Sequence, residues 1–112
     1  MIDCLFCKIA RSEIPAQIVY QDDGFLAFRD LNPQAPTHIL VIPRQHITTL
    51  NEAQDNLLLG KLMVRVRDVA RTEGLAERGY RVVINTNAEA GQTVFHLHAH
   101  VLGGRQMRWP PG

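Results

Sequence analysis

Hydrophobic and polar residues alternate most clearly near the end of the chain, in Phe95-His96-Leu97-His98-Ala99-His100-Val101-Leu102. Because successive side chains of a strand point to opposite faces, this alternation predicts a strand with its three histidines on one face. Leu97, Ala99 and Val101 are then expected on the opposite face, in a core. A strand that is merely exposed to solvent would use Thr, Lys or Glu at the polar positions, so we interpret the three imidazoles as a functional site.

The alternation typical of strands and the spacing of apolar residues typical of helices divide the rest of the chain into elements. In order, these are a short helix over residues 4–11, strands over 18–20, 25–30 and 38–43, a long helix that follows the capping-box sequence Thr49-Leu50-Asn51-Glu52 and ends near Glu73, a strand over 80–85, a loop over 86–93 and the histidine strand. Helices and strands are segregated, and short connections favour antiparallel pairing. We therefore predict an α+β fold, with an antiparallel sheet of about five strands and one long and one short helix.

Size and charge restrict the class of protein. A chain of 112 residues is expected to form one domain, residues 1–112. A net charge of +1 gives no basic surface for nucleic acid. No apolar run reaches membrane length and the first residues lack a signal pattern, so we expect a cytoplasmic protein without membrane partners. In that compartment Cys4 and Cys7 are expected to stay reduced.

The spacing of the three histidines limits what they can do together. One metal ion cannot easily bind all of them, because a rise of ~3.3 Å per residue separates the α-carbons of His96 and His100 by about 13 Å. Two neighbouring histidines could share a metal. The alternative is catalysis, in which a neutral imidazole attacks an electrophile while its other nitrogen is held as a donor. His98 is flanked on both sides by supporting groups, so it is the best-placed nucleophile.

The string His-apolar-His-apolar-His-apolar-apolar resembles the signature of the histidine triad superfamily, and further motifs resemble its Hint branch. These motifs are Asp30-Leu31-Asn32-Pro33-Gln34-Ala35-Pro36-Thr37-His38, Leu40-Val41-Ile42-Pro43, Gly91-Gln92-Thr93, Gly103-Gly104-Arg105-Gln106-Met107 and the final Trp109-Pro110-Pro111-Gly112. They extend over nearly the whole chain and occur in order, which makes the resemblance specific. Hint proteins are histidine triad nucleotide-binding proteins that hydrolyse purine nucleoside phosphoramidates.

The resemblance implies a homodimer whose two sheets join into a larger sheet, with a purine nucleotide bound at each triad. It also implies roles for individual residues: His98 as nucleophile, His100 as phosphate contact, His38 as support for the triad, Thr93 as a donor to the leaving nitrogen or the phosphate, Asp30 and Leu31 as ribose and base contacts, and Asn85, Gly91 and Gln92 beside Thr93 on the phosphate side. The reaction implied is attack by His98 on phosphorus, loss of the amine, and hydrolysis of the nucleotidyl-histidine. Read without the resemblance, Asp30 and Asn85 are caps and Gly91 is a turn residue.

A structural zinc site is also implied by the resemblance. Some histidine triad proteins hold zinc with an N-terminal CxxC pair, a histidine after a Pro-basic-x turn, and the first triad histidine. The corresponding residues here are Cys4, Cys7, His46 and His96, a donor set that suits a closed tetrahedral site. The alternative is a pair of buried reduced thiols with His46 exposed on its loop, since many Hint proteins lack the cysteines.

Other functions remain open at the level of sequence. The chain has no GxxxxGK[ST] phosphate loop and only two lysines, so we expect no magnesium-dependent kinase or NTPase activity and no organic cofactor. A nucleotide-binding regulator with little turnover is a second interpretation, and a dinucleoside polyphosphate hydrolase is a third, which the Gly103-Gly104-Arg105 and Trp109–Gly112 endings disfavour. Hint proteins often have Gly-Gly-Gln-Ser where this chain has Ala90-Gly91-Gln92-Thr93. We expect this difference to tune leaving-group preference, because Ala90 disfavours a positive φ and Thr93 is stiffer than Ser.

Overall fold

A computed structural model of the protein describes residues 3–112 and has one antiparallel sheet at its centre. The elements are α1 (Leu5–Ala10), β1 (Ile18–Gln21), β2 (Phe25–Arg29), β3 (Thr37–Pro43), α2 (Asn56–Thr72), β4 (Tyr80–Val83), α3 (Asn87–Ala90) and β5 (Ala99–Gly103). The strand order is β1-β2-β3-β5-β4, with every pair antiparallel. The predicted α+β class and five-stranded antiparallel sheet are confirmed, while the described residues contain a third helix, α3, that the sequence did not predict.

The two faces of the sheet are covered by different helices. On one face, α2 packs Leu62, Val66, Val69 and Ala70 against Phe25, Ala27, Ile39, Val41, Leu97, Ala99 and Val101. On the other face, α1 packs Cys4, Phe6, Cys7 and Ile9 against Leu26, Phe28, Leu40 and Ile42. The apolar residues between the histidines thus belong to the α2-side core, as the alternation predicts. The histidine rings lie on the α1 side, where the ring of Phe6 contacts those of His96 and His98.

The long helix begins later than predicted. Thr49 makes no side-chain capping bond and starts only a short 3₁₀ turn, Leu50–Glu52. The effective cap is Asp55, whose carboxylate accepts from the backbone N–H groups of Leu57 and Leu58. The predicted end is confirmed, because the helix stops at Thr72 and Gly74 takes a left-handed conformation with φ 78°. No helix within residues 3–112 is long and apolar enough to cross a bilayer.

The histidine strand is shorter than predicted. β5 begins at Ala99, so His96 and His98 precede it. The N–H of Leu97 bonds to the carbonyl of Ile47 over 2.6 Å, which ties this segment to the loop after β3 rather than to a neighbouring strand. Only His100 lies within the paired strand, opposite Leu40 of β3.

The segment before the triad is a helical turn rather than a plain loop. The left-handed conformations fall on Asn87, with φ 67°, and on Gly91, with φ 85°. Ala90 closes α3, so the alanine that distinguishes this chain from Gly-Gly-Gln-Ser sequences does not carry a positive φ. Gly91 supplies the left-handed residue after the helix and redirects the chain toward the triad.

Candidate active site and metal centre

A cavity of about 270 Å³ opens on the α1 side of the sheet, beside the second and third histidines of the triad. Its polar lining is Arg29, Asp30, Thr93, His98 and His100; its apolar lining is Leu5, Phe6, Ile9, Ile14, Pro15, Ala16, Phe28, Leu31, Leu40 and Val94. An apolar pocket with a few polar groups on one side is typical of a small-molecule site. Five of the predicted site residues therefore meet here: Asp30, Leu31, Thr93, His98 and His100.

His98 is held with one nitrogen free. Its Nδ1 lies 2.7 Å from the carbonyl oxygen of His96. Because a carbonyl only accepts, Nδ1 must carry the proton, and Nε2 therefore keeps its lone pair. The ring is 7% exposed, and this burial lowers the pKa of His98 below its usual value. The imidazole is thus neutral, oriented and able to act as a nucleophile at Nε2.

A relay of hydrogen bonds fixes the protonation of His100. The backbone N–H of Gln34 donates to Nδ1 of His38 over 3.0 Å, so the proton of His38 is on Nε2. That Nε2–H donates to Nδ1 of His100 over 2.8 Å, and the proton of His100 must then be on its own Nε2. Burial and the nearby imidazoles lower the pKa of His100 to about 4, which keeps the ring neutral. The two triad histidines of the cavity thus have opposite roles: Nε2 of His98 accepts, and Nε2 of His100 donates.

Asp30 has both a structural and a cavity-facing role. One carboxylate oxygen accepts from the backbone N–H of Asn32 over 2.8 Å, as the capping interpretation predicts. The other lies 3.4 Å from Nε2 of His38, and the carboxylate borders the cavity. The capped turn therefore holds an acceptor-only group at the pocket wall.

A second cluster lies behind the cavity. The Sγ atoms of Cys4 and Cys7 and one nitrogen each of His46 and His96 all lie within 4.8 Å of one another. Nδ1 of His96 is 3.4 Å from Sγ of Cys4, and Nδ1 of His46 is 3.3 Å from Sγ of Cys7. These are the four residues that the resemblance selects, brought together from α1, the loop after β3 and the triad.

The chemistry of this cluster fits a metal ion. Nε2–H of His96 donates to the carbonyl of Pro43 over 2.7 Å, which leaves Nδ1 unprotonated and directed at the sulfurs. Such a carbonyl contact behind the ligating ring is the usual support of a metal-binding histidine. Burial and the neighbouring Cys4 raise the pKa of the Cys7 thiol. A cation at the centre of the cluster would stabilise both thiolates, and two sulfurs with two imidazoles are a donor set that zinc prefers.

Asp30, His38 and His100 also lie within ligand distance of one another. The relay argues against a metal there. A cation on Nε2 of His38 would move its proton to Nδ1, where it would face the N–H of Gln34. We therefore interpret these three residues as a hydrogen-bond network in which the position of each proton is fixed.

The phosphate-side residues are divided between the cavity and its support. Thr93 borders the cavity, whereas Asn85, Gly91 and Gln92 are outside its lining. The side chain of Gln92 is buried and accepts from the N–H of Asn87, while its amide donates to the carbonyls of Thr48 and Val94.

The cavity wall from α1 and residues 14–16 was not predicted from the sequence, because short apolar segments without periodicity do not indicate a pocket.

Several known proteins are similar to this chain over most of its length. The HIT domain family model matches residues 11–107. A 14 kDa zinc-binding protein of Zea mays is 53% identical over 112 residues, which cover 96% of this chain and 87% of that protein. The purine nucleoside phosphoramidase of Escherichia coli is 50% identical over 107 residues, 94% of this chain and 90% of that protein. A crystal structure of a HIT family hydrolase from Legionella pneumophila matches with a TM-score of 0.96 at 55% identity, covering 98% of this chain and 100% of that one.

Proposed function

Since this chain belongs to the HIT domain family, we propose that it hydrolyses purine nucleoside 5′-phosphoramidates to the nucleoside monophosphate and an amine. The observation that carries the proposal is the free Nε2 of His98, held at the cavity by the bond from its Nδ1–H to the carbonyl of His96. The similarity to the phosphoramidase of Escherichia coli supports this substrate class.

The reaction proceeds in two displacements at phosphorus. Nε2 of His98 forms a bond to phosphorus as the P–N bond breaks, and the departing nitrogen takes a proton to leave as the amine. The hydroxyl of Thr93 borders the cavity and can pass a proton to that nitrogen while it takes one from solvent water, or it can bind a phosphate oxygen. Water then attacks phosphorus as the bond to Nε2 of His98 breaks, which releases the monophosphate and regenerates the neutral imidazole. The proton that water loses balances the one taken by the amine in the first step.

Charge on the phosphoryl oxygens needs donors that are oriented before reaction. His100 provides one through Nε2–H, whose direction is set by His38. Asn85 and the backbone around Gly91 and Gln92 complete this side in our proposal. In the proposal, Asp30 accepts from the ribose hydroxyls and Leu31 covers the base; both residues line the cavity, and Leu31 is 98% exposed.

We further propose that Cys4, Cys7, His46 and His96 hold one structural zinc ion. All four donors are supplied by the chain, so the site has no open position for a substrate. The ion would stabilise the thiolates and fix α1 and His96 against the loop after β3. Two metal-binding thiols also suit the reducing cytoplasm that the sequence predicts.

We propose a homodimer that joins the sheets at β4, the strand at one end of the sheet. A groove of about 720 Å³ runs along this strand and is bordered by Tyr80, Val82, Met107 and Trp109, the last of which is 81% exposed. An edge strand beside exposed aromatic surface is suited to pairing with a second copy. Sedimentation equilibrium of the purified protein tests this, and a monomer at micromolar concentration would contradict it.

The decisive experiment is the hydrolysis of an adenosine 5′-phosphoramidate by the wild type and by His98→Ala. We expect the variant to lose at least about 10³-fold in kcat, since no nucleophile remains, while AMP still binds. Phe95→Ala, which alters an exposed neighbour outside the cavity, is the matched control and should keep full activity. Equal rates for the wild type and His98→Ala would refute the mechanism; AMP binding without turnover by the wild type would favour a regulatory role.

A further inference from the structure

The short helix α1 takes part in both sites. Cys4 caps its N-terminus and Cys7 lies in its first turn, so two of the four metal-ligand candidates belong to this element. Leu5, Phe6 and Ile9 of the same helix form a wall of the nucleotide cavity. A helix of six residues is not stable on its own, so its position depends on what it contacts.

Phe6 joins the two sites directly. Its ring lies edge-on to the ring of His98, with centroids 5.0 Å apart, and contacts His96 with centroids 6.0 Å apart. The ring of Phe6 also packs against that of Phe28 of β2, with centroids 5.4 Å apart. One buried ring therefore touches a metal-ligand candidate, the nucleophile and the wall of the cavity.

His96 provides a second connection between the sites. Its ring faces the sulfurs, while its carbonyl accepts the Nδ1–H of His98. Any displacement of His96 when the cluster gains or loses a metal ion would therefore move the hydrogen-bond acceptor that orients the nucleophile.

We propose that the metal centre and the nucleotide pocket are thermodynamically coupled through α1, with Phe6 as the positioning residue that transmits the effect. The inference depends on the proposed nucleotide site and zinc site. Zinc holds α1 against the sheet, and the ordered Phe6 completes the pocket wall. Because coupling between two sites is reciprocal, bound nucleotide must also raise the affinity of the protein for zinc.

The test measures retention of zinc by the intact zinc-loaded protein. Zinc loss, the share of zinc that a chromophoric chelator takes from the protein at equilibrium, is measured with and without saturating AMP, and free zinc with AMP serves as the blank. We expect AMP to lower the Kd of the protein for zinc by at least about 5-fold, the lower end of ordinary coupling between two sites. Isothermal titration should show AMP binding to the zinc-free protein weakened by a similar factor.

Two variants separate this mechanism from general stabilisation by a ligand. Phe6→Leu retains an apolar side chain in the wall, so AMP should still bind, but its effect on zinc loss at saturation should fall below about 2-fold, outside the usual range of coupling. Leu31→Ala alters the same pocket from the loop after β2. It should require more AMP yet keep the full effect at saturation.

The outcomes distinguish the coupling from the functions it depends on. Absence of AMP binding would overturn the proposed function, and absence of zinc would overturn the metal centre; either would end the coupling as well. If both ligands bind and AMP leaves zinc loss unchanged, the coupling alone is refuted. If AMP lowers the Kd for zinc equally in Phe6→Leu and the wild type, the role of Phe6 is refuted.

Discussion

His38 donates its Nε2–H to Nδ1 of His100 over 2.8 Å, and its own Nδ1 is occupied by the backbone N–H of Gln34. The backbone at Gln34 thus determines which nitrogen of His100 carries a proton, across two rings. The result is a hydrogen-bond donor on a ring that borders the cavity, where we propose that the phosphate binds. The loop that contains Gln34 therefore determines which nitrogen of His100 is the donor, although the loop itself has no catalytic group.

Removing His38 should impair catalysis more than binding. In His38→Ala, Nδ1 of His100 loses its donor, and the ring can place its proton on either nitrogen. We expect kcat to fall by about 10- to 10³-fold, up to the loss caused by deleting one donor to a developing oxyanion, with a smaller change in KM. His38→Gln, whose amide can replace Nε2–H, should recover part of the loss in the same steady-state assay. Equal kcat for His38→Ala and the wild type would show that the relay has no role.

The neutral state of His100 predicts a dependence of stability on pH. Burial, followed by the neighbouring His98 and His38, lowers its pKa to about 4, whereas an imidazole in the unfolded chain titrates near 6.5. Between these values the unfolded chain binds the additional proton, so the free energy of unfolding must decrease as pH falls from 6.5 toward 4. Urea unfolding at pH 7 and pH 5 should show a smaller decrease for His100→Gln than for the wild type. Equal decreases would exclude His100 as a source of the acid sensitivity.

The sequence predicted the sheet and the grouping of the histidines because both follow from local alternation. It missed the start of α2, since Thr49 and Asp55 both fit a cap and only the tertiary structure selects Asp55. It extended the histidine strand too far, because Leu97 is bonded to Ile47, a partner distant in sequence. Alternation identifies which face a side chain occupies, but not whether a neighbouring strand is there to pair with it.

The site was predicted less completely than the fold. The four metal-ligand candidates came from the resemblance, and spacing alone could not have joined Cys4 to His96, 92 residues away. The relay from Gln34 had no signal at all, because a backbone N–H is present at almost every position of a sequence. The contact of Phe6 with both sites was likewise not predicted, since an aromatic residue in a short apolar run is usually part of a core.

Gln92 should act on stability rather than on direct contact with the nucleotide. Its side chain makes three hydrogen bonds that connect Asn87, Thr48 and Val94, and it is 7% exposed. Gln92→Ala should lower the free energy of unfolding by about 2–4 kcal/mol, at about 1 kcal/mol per lost bond and more for the carbonyls left unpaired. Glu89→Ala, at an exposed position of α3, is the matched control and should change it by less than about 0.5 kcal/mol. Urea unfolding measures both, and equal effects would contradict the stabilising role of the Gln92 hydrogen bonds.

Removal of one thiol should eliminate the metal centre and show how much it stabilises the fold. Purified wild-type protein should contain about one zinc per chain by elemental analysis, and Cys4→Ser should contain little, because a closed site needs all four ligands. A ligand at about 100 times its Kd stabilises by about 2.7 kcal/mol, so the unfolding midpoint of the variant should be roughly 10 °C lower at that zinc concentration. Chelator should lower the wild-type midpoint to that of the variant and leave the variant unchanged, which separates loss of metal from damage by the serine. Wild-type protein that contains no zinc, or that unfolds at the same temperature with and without chelator, would instead support the interpretation of two buried reduced thiols.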